Sequence, residues 1–179
     1  MPFGRSRTNK TYDADSLYEY AVGALSRKMR TVAELKRLMR RRVGQQAGGE
    51  ALVEGVIARL KERRYLNDSA YAAAYSGFRR DNEKFGRRRV ITDLKTKGVH
   101  GDVIEKAIAS AYAGVNEEKL ARAFLARKRL KKPKNQKEAA RIFRALARAG
   151  FGAGAIIRIL KKWEVDAEVL GALESEELA

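Results

Sequence analysis

This chain has no cysteine, one histidine and two prolines. Without cysteine there can be no disulfide framework and no thiolate metal site. With His100 as the sole histidine, a Ser/His/Asp arrangement and a histidine-built zinc site find no support. His100 sits in the short connection KGVHGD, where an exposed or helix-capping role is expected. Uncharged stretches stop at about ten residues, short of the ~20 that a membrane helix needs. The segment MPFGRSRTNKTY lacks the apolar run of a secretory leader and reads as a disordered basic arm. No glycine pattern matches a Walker loop, and GFGAG lacks the preceding strand that a dinucleotide site requires. The chain thus offers no catalytic residue, no metal ligand set and no cofactor site, and reads as a non-enzyme.

Positive charge is abundant. The net charge is +17, unevenly spread over 179 residues. From Glu164 to Ala179 there are six acids and no base, so residues 1–163 hold all 39 bases against 16 of the 22 acids. A field of that sign favours polyanions such as nucleic acid or an acidic protein. The plain alternative is a basic helical protein that only repels its own copies. Hydrophobic residues make up 45% of the chain, enough to bury a core.

Strand-like alternation is nearly absent. Apolar residues recur at spacings of three and four, the pattern of amphipathic helices. Nine main helices are expected. The first spans about Asp15 to Lys28. Thr31 and Glu34 have the spacing of a capping box before the second, and VGQQAGG ends it. ALVEGVIARLKERR is the third. Asn67 or Asp68 caps the fourth, which carries Tyr71, Ala74, Tyr75 and Phe78 along one stripe that reads as core. Gly86 opens the fifth, with Val90, Ile91 and Leu94 inward and Gly98 as its stop. Asp102 caps the sixth. Asn116 caps the seventh, NEEKLARAFLARKRLK, expected to run to Lys131. Pro133 breaks the chain, and Asn135 caps the eighth, which Gly150 stops. The ninth spans about Gly154 to Trp163.

The third helix of each trio carries a related string: VIARL from Val56, VIEKAI from Val103 and IIRIL from Ile156, at offsets of 47 and 53 residues. The fold is therefore expected to be all-α, a tandem array of three three-helix repeats, elongated or curved. The divisions are a basic arm at 1–13, repeats at 14–65, 66–115 and 116–163, and an acidic tail at 164–179. Three basic clusters fall at related places. Arg40, Arg41 and Arg42 end the second helix, where cations favour the dipole. Arg88, Arg89 and Lys95 project from the fifth, Arg87 can extend its head past the core edge, and Lys97 follows. Arg127, Lys128, Arg129, Lys131, Lys132 and Lys134 lie in RKRLKKPKNQK, where seven of eleven residues are basic and none acidic. These are the candidate partner- and DNA-binding residues.

RYLNDSAYAAAY followed by FGRRRVITDLKTKGVHGDVIEKAI resembles the RecX family of bacterial recombinase regulators. Tyr65-Leu66-Asn67-Asp68, Gly86 with its following arginines, Leu94 and Lys97-Gly98-Val99 carry the likeness. RIFRALARAGFGAGAIIRIL is similar to the family's closing repeat, and RTVAELKRLMRR is a looser match to its opening one. The resemblance covers about residues 20–163. It implies a cytoplasmic, monomeric array of three-helix units that binds the RecA filament. It also implies inhibition of RecA's ATPase, strand-exchange and coprotease activities, and so a role in recombination and the SOS response. Contact with single- and double-stranded DNA through phosphates is expected, and no membrane. A general DNA-binding protein that acts without RecA, using the fifth or eighth helix to read a groove, is the alternative.

Overall fold

The computed structural model describes residues 11–178, and every regular element among them is a helix. Ten helices follow in order: α1 (Ala14–Arg27), α2 (Val32–Val43), α3 (Gly49–Glu62), α4 (Asp68–Asp81), α5 (Arg87–Thr96), α6 (Gly101–Ala111), α7 (Glu117–Arg127), α8 (Gln136–Arg148), α9 (Ala153–Lys162) and α10 (Ala167–Leu178). The chain forms two compact units that divide between Tyr71 and Ala72. No described helix is long and apolar enough to cross a membrane.

In the first unit, α1 and α2 both pack on α3. Leu17, Ala21, Leu35, Met39, Val53 and Leu60 are sealed between them. The caps follow from local sequence. The Ser16 N–H donates to Asp13 Oδ1 at 2.8 Å. The Glu34 N–H donates to Thr31 Oγ1 at 3.1 Å, and the Thr31 N–H to Glu34 Oε2 at 3.2 Å, which completes the expected box. Asn67 Oδ1 accepts from the Ala70 N–H at 3.0 Å and so caps α4. Asp68 instead accepts from the Val32 N–H at 2.8 Å and satisfies a second donor of α2. Of the expected basic arm, residues 1–10 lie outside the described residues. Its end is ordered, because Tyr12 is buried against Tyr20 and its backbone exchanges two hydrogen bonds with the Gln46 amide, at 2.8 and 2.7 Å.

In the second unit, α5 packs on α6, while α7, α8 and α10 pack on α9. Ala121, Phe124, Ile142, Leu146, Phe151 and Ile156 form the centre of its larger core. The repeated strings fill equivalent roles: Val56, Ile57 and Leu60, then Ile104 and Ile108, then Ile156, Ile159 and Leu160 are all buried.

Four expectations are corrected. The acidic segment is not a plain tail, because it contains α10, whose Leu170 and Leu173 are buried in the second core. α7 stops at Arg127, not Lys131. Arg129 takes a left-handed φ of 54°, and the Leu130 N–H turns back to the Leu125 carbonyl at 2.9 Å, which tucks Leu130 against the core. Asp102 does not cap α6: His100 holds that position without a side-chain bond, and Asp102 sits in the first turn. Phe78 is not core, being 55% exposed. The inward face of α4 runs instead through Ala72 and Ser76, one helical turn apart.

Candidate functional site

The start of α5 lies against the end of α8. The Gly86 N–H donates to the Ala149 carbonyl at 2.9 Å, and the Arg88 N–H to the Gly150 carbonyl at 3.3 Å. Orphan donors of one helix thus meet orphan acceptors of another, so α5 needs no capping side chain. The two helix dipoles also meet with opposite signs. The Tyr112 hydroxyl donates to the Phe85 carbonyl at 2.8 Å. Burial pushes the Tyr112 phenol up to about 12, so it remains a neutral donor. The Gly152 N–H donates to Glu117 Oε1 at 2.8 Å and ties α7 to the start of α9.

This docking opens a groove of about 530 Å³ between α5, α7 and α8. Its floor is apolar: Phe85, Phe124, Leu130, Ala145 and Ala149. Its rim carries Arg89, Lys128, Arg141 and Arg148, and no carboxylate lines it. No hydrogen bond or ion pair holds Arg141 or Arg148 among the described residues. Among the described residues, the Lys128 ammonium meets only the Phe124 ring, at 6.0 Å. Arg89 pairs with Asp93 at 3.0 Å, yet its side chain stays 46% exposed. Asp93 is a hub, accepting also from the Tyr75 hydroxyl at 3.0 Å and from Arg79 at 2.8 Å. Arg79 in turn lies over the Phe85 ring at 4.4 Å. The groove therefore joins a cationic rim, on which only Arg89 has a carboxylate partner among the described residues, to an apolar floor, a combination suited to binding an anionic partner.

Sequence reasoning anticipated Arg89 and Lys128 of this rim and missed Arg141 and Arg148. The available signal was their spacing of seven, which puts both on the side of α8 opposite its apolar stripe. The other candidates do not converge here. Arg87, Arg88 and Lys95 are exposed on α5. Lys97 is half-buried, 5.3 Å from the Tyr75 ring. Arg127 faces Glu83 at 3.8 Å. Lys132 pairs with Glu164 at 2.5 Å, beside Lys134 and Asp166 around a second, partly acidic hollow. Arg129 and Lys131 are exposed in the loop between. Arg40, Arg41 and Arg42 belong to the first unit. Arg40 is paired with Glu50, with Nε 2.9 Å from Oε2, and that bond holds the Glu50 carboxyl below its ordinary value. Arg42 lies over the Tyr20 ring at 4.6 Å, and Arg41 is exposed.

A family model for the second three-helix domain of RecX matches residues 67–108, the segment from the start of α4 through most of α6. The regulatory protein RecX of Myxococcus xanthus is 34% identical over 153 residues, covering 78% of this chain and 81% of that protein. RecX of Streptomyces coelicolor is 32% identical over 116 residues, covering 63% of this chain and 61% of that one. A crystal structure of regulatory protein RecX superposes with a TM-score of 0.66 at 19% identity, over 83% of this chain and 71% of that one, which establishes the shared helical fold. With identity sustained over most of both the chain and its Myxococcus xanthus relative, the protein belongs to the RecX family of regulatory proteins.

Proposed function

We propose that this protein is a non-enzymatic, cytoplasmic regulator that binds RecA–DNA filaments and slows RecA's ATP hydrolysis, strand exchange and coprotease action. Membership of a family of regulatory proteins supports this reading. The single structural observation that carries it is the groove whose rim holds Arg89, Lys128, Arg141 and Arg148 with no acid among its lining residues. A nucleoprotein filament presents phosphates and carboxylates over a long surface. Exposed cations outside the groove, among them Arg87, Arg88, Lys131 and Lys134, would add unselective contact with DNA phosphates. The protein acts as a monomer in this reading, without a cofactor.

The test is a titration of this protein into RecA hydrolysing ATP on single-stranded DNA. Substoichiometric protein should slow hydrolysis. If saturating protein leaves both hydrolysis and filament length unchanged, the reading fails. Binding to DNA alone should be weak, unselective and steeply salt-dependent. Tight, sequence-selective duplex binding without RecA would point instead to a groove-reading helical protein.

A further inference from the structure

We propose that the groove between α5, α7 and α8 docks an acidic peptide segment of a protein partner, its carboxylates on the arginine rim and an apolar side chain on the floor, rather than a nucleic-acid strand. This rests on the reading that the protein acts on the RecA filament. It specifies which component of that filament the groove meets.

The rim chemistry alone admits either anion, because arginine forks carboxylates and phosphates equally well. The floor decides between them. A single strand is held by stacking its bases on open aromatic faces. Phe124 offers none, and one face of Phe85 is already taken. Phe85 is covered by the Arg79 guanidinium at 4.4 Å and is 6.0 Å from Phe124. Phe124 is only 5% exposed and stands edge-on to Phe151, with centroids 6.0 Å apart. The rest of the floor is aliphatic: Leu130, Ala145 and Ala149. That surface suits an aliphatic or aromatic side chain. It does not suit a phosphodiester chain, which would lose water over apolar atoms without regaining a hydrogen bond. A duplex fares no better, since its convex backbone meets projecting helices and does not enter a concavity walled by three of them.

The rim is also arranged in advance. Asp93 holds Arg89 at 3.0 Å while leaving 46% of that side chain exposed. Arg141 and Arg148 stand on one side of α8 about 10 Å apart along its axis, at 1.5 Å per residue. Carboxylates two turns apart on one face of an acidic helix match that separation.

The test uses the full chain and two fluorescein-labelled probes: a synthetic peptide rich in glutamate, aspartate and phenylalanine, and a thymidine oligonucleotide. Arg141→Glu/Arg148→Glu reverses the rim. Lys131→Glu/Lys134→Glu makes the same charge change outside the groove. Peptide affinity should fall by at least about tenfold in the rim variant, as expected when a docked charge loses its partner, and much less in the loop variant. Oligonucleotide affinity should fall equally in both. Should the rim reversal unfold the protein, Arg141→Gln/Arg148→Gln serves in its place. The proposal is overturned if the wild type does not bind the peptide, if both variants lose the peptide alike, or if the rim variant selectively loses the oligonucleotide. The RecA titration separates the two levels. A wild type that does not slow hydrolysis removes the filament reading. A rim variant that slows it as well as the wild type removes only the groove.

Discussion

Gly86 and Gly150 meet backbone to backbone. A Cβ on Gly86 would overlap the Gly150 carbonyl and stand 2.8 Å from the Phe151 nitrogen. A Cβ on Gly150 would overlap the Arg89 amide, and Gly150 is also at a φ of 90°. This contact sets the approach of α5 to α8, and so the width of the groove whose rim includes Arg89 and Arg148.

Gly86→Ala should therefore destabilise the second unit by about 1–3 kcal/mol, the range for overpacking a closed contact. Its own φ of −71° is ordinary, so the effect is steric alone. Gly150→Ala should lose more, since it adds about 1–2 kcal/mol of left-handed strain. Gly114→Ala is the control: it has a φ of 65° and nothing within 4 Å of its added Cβ, so only strain applies. Urea denaturation should order them Gly150→Ala, Gly86→Ala, Gly114→Ala, from most to least damaging. Equal losses at Gly86 and Gly114 would contradict the close approach.

Asp93 should matter more than any single cation it binds. It is 15% exposed, accepts hydrogen bonds from Tyr75 and Arg79, and is ion-paired with Arg89. Arg79 already has a buried Nε with no hydrogen-bond partner. Asp93→Asn should lower stability by about 1–3 kcal/mol, because it leaves a half-buried guanidinium poorly compensated. Tyr75→Phe removes one neutral donor and should lose only about 0.5–1.5 kcal/mol. Thermal or chemical melts in which Tyr75→Phe equals or exceeds Asp93→Asn would count against the hub.

Much of the fold is legible in local sequence because its determinants are local. Thr31 and Glu34 specify a cap within four residues, and the VIARL, VIEKAI and IIRIL strings mark each third helix by apolar spacing alone. The groove is not local. It forms only where α5, from one trio, docks against α7 and α8, from the next. Arg141 and Arg148 read as a solvated face until that docking is seen. The early end of α7 was hidden for a different reason: arginine gives no sign that Arg129 will take a positive φ. α10 was masked by its acids, although Leu170 and Leu173 have the spacing of a helix that buries one face.

The tie between α7 and α9 should weaken in acid. Glu118 accepts from Lys162 at 2.7 Å and from Arg122 at 3.2 Å. The Lys162 hydrogen bond is the largest cause holding its carboxyl below the ordinary value of 4.5. A carboxyl with a depressed folded pKa contributes stability that is fully present above the unfolded value and lost as pH falls through the folded one. Glu118→Gln should thus be less stable than wild type at neutral pH, and the gap should close below the carboxylate range. A gap in urea midpoint that is independent of pH would show that packing, not charge, is what the substitution removed.

Deleting residues 164–179 is the obvious test of whether their negative charge competes with DNA for the basic surface, with tighter DNA binding expected on removal. The position of α10 changes how that experiment must be done. Leu170 and Leu173 are 3% and 6% exposed, and they pack with Leu146, Ile156 and Leu160 in one core. Truncation strips both leucines along with the acids. Leu170→Ala alone should lose about 2–5 kcal/mol. Glu168→Gln, at an exposed position, should shift stability by no more than about 0.5 kcal/mol. DNA affinity should therefore be compared between wild type and Glu168→Gln, with Leu170→Ala reporting the packing contribution through its melting curve. If Leu170→Ala melts with the wild type, α10 is not docked and the truncation reports on charge after all.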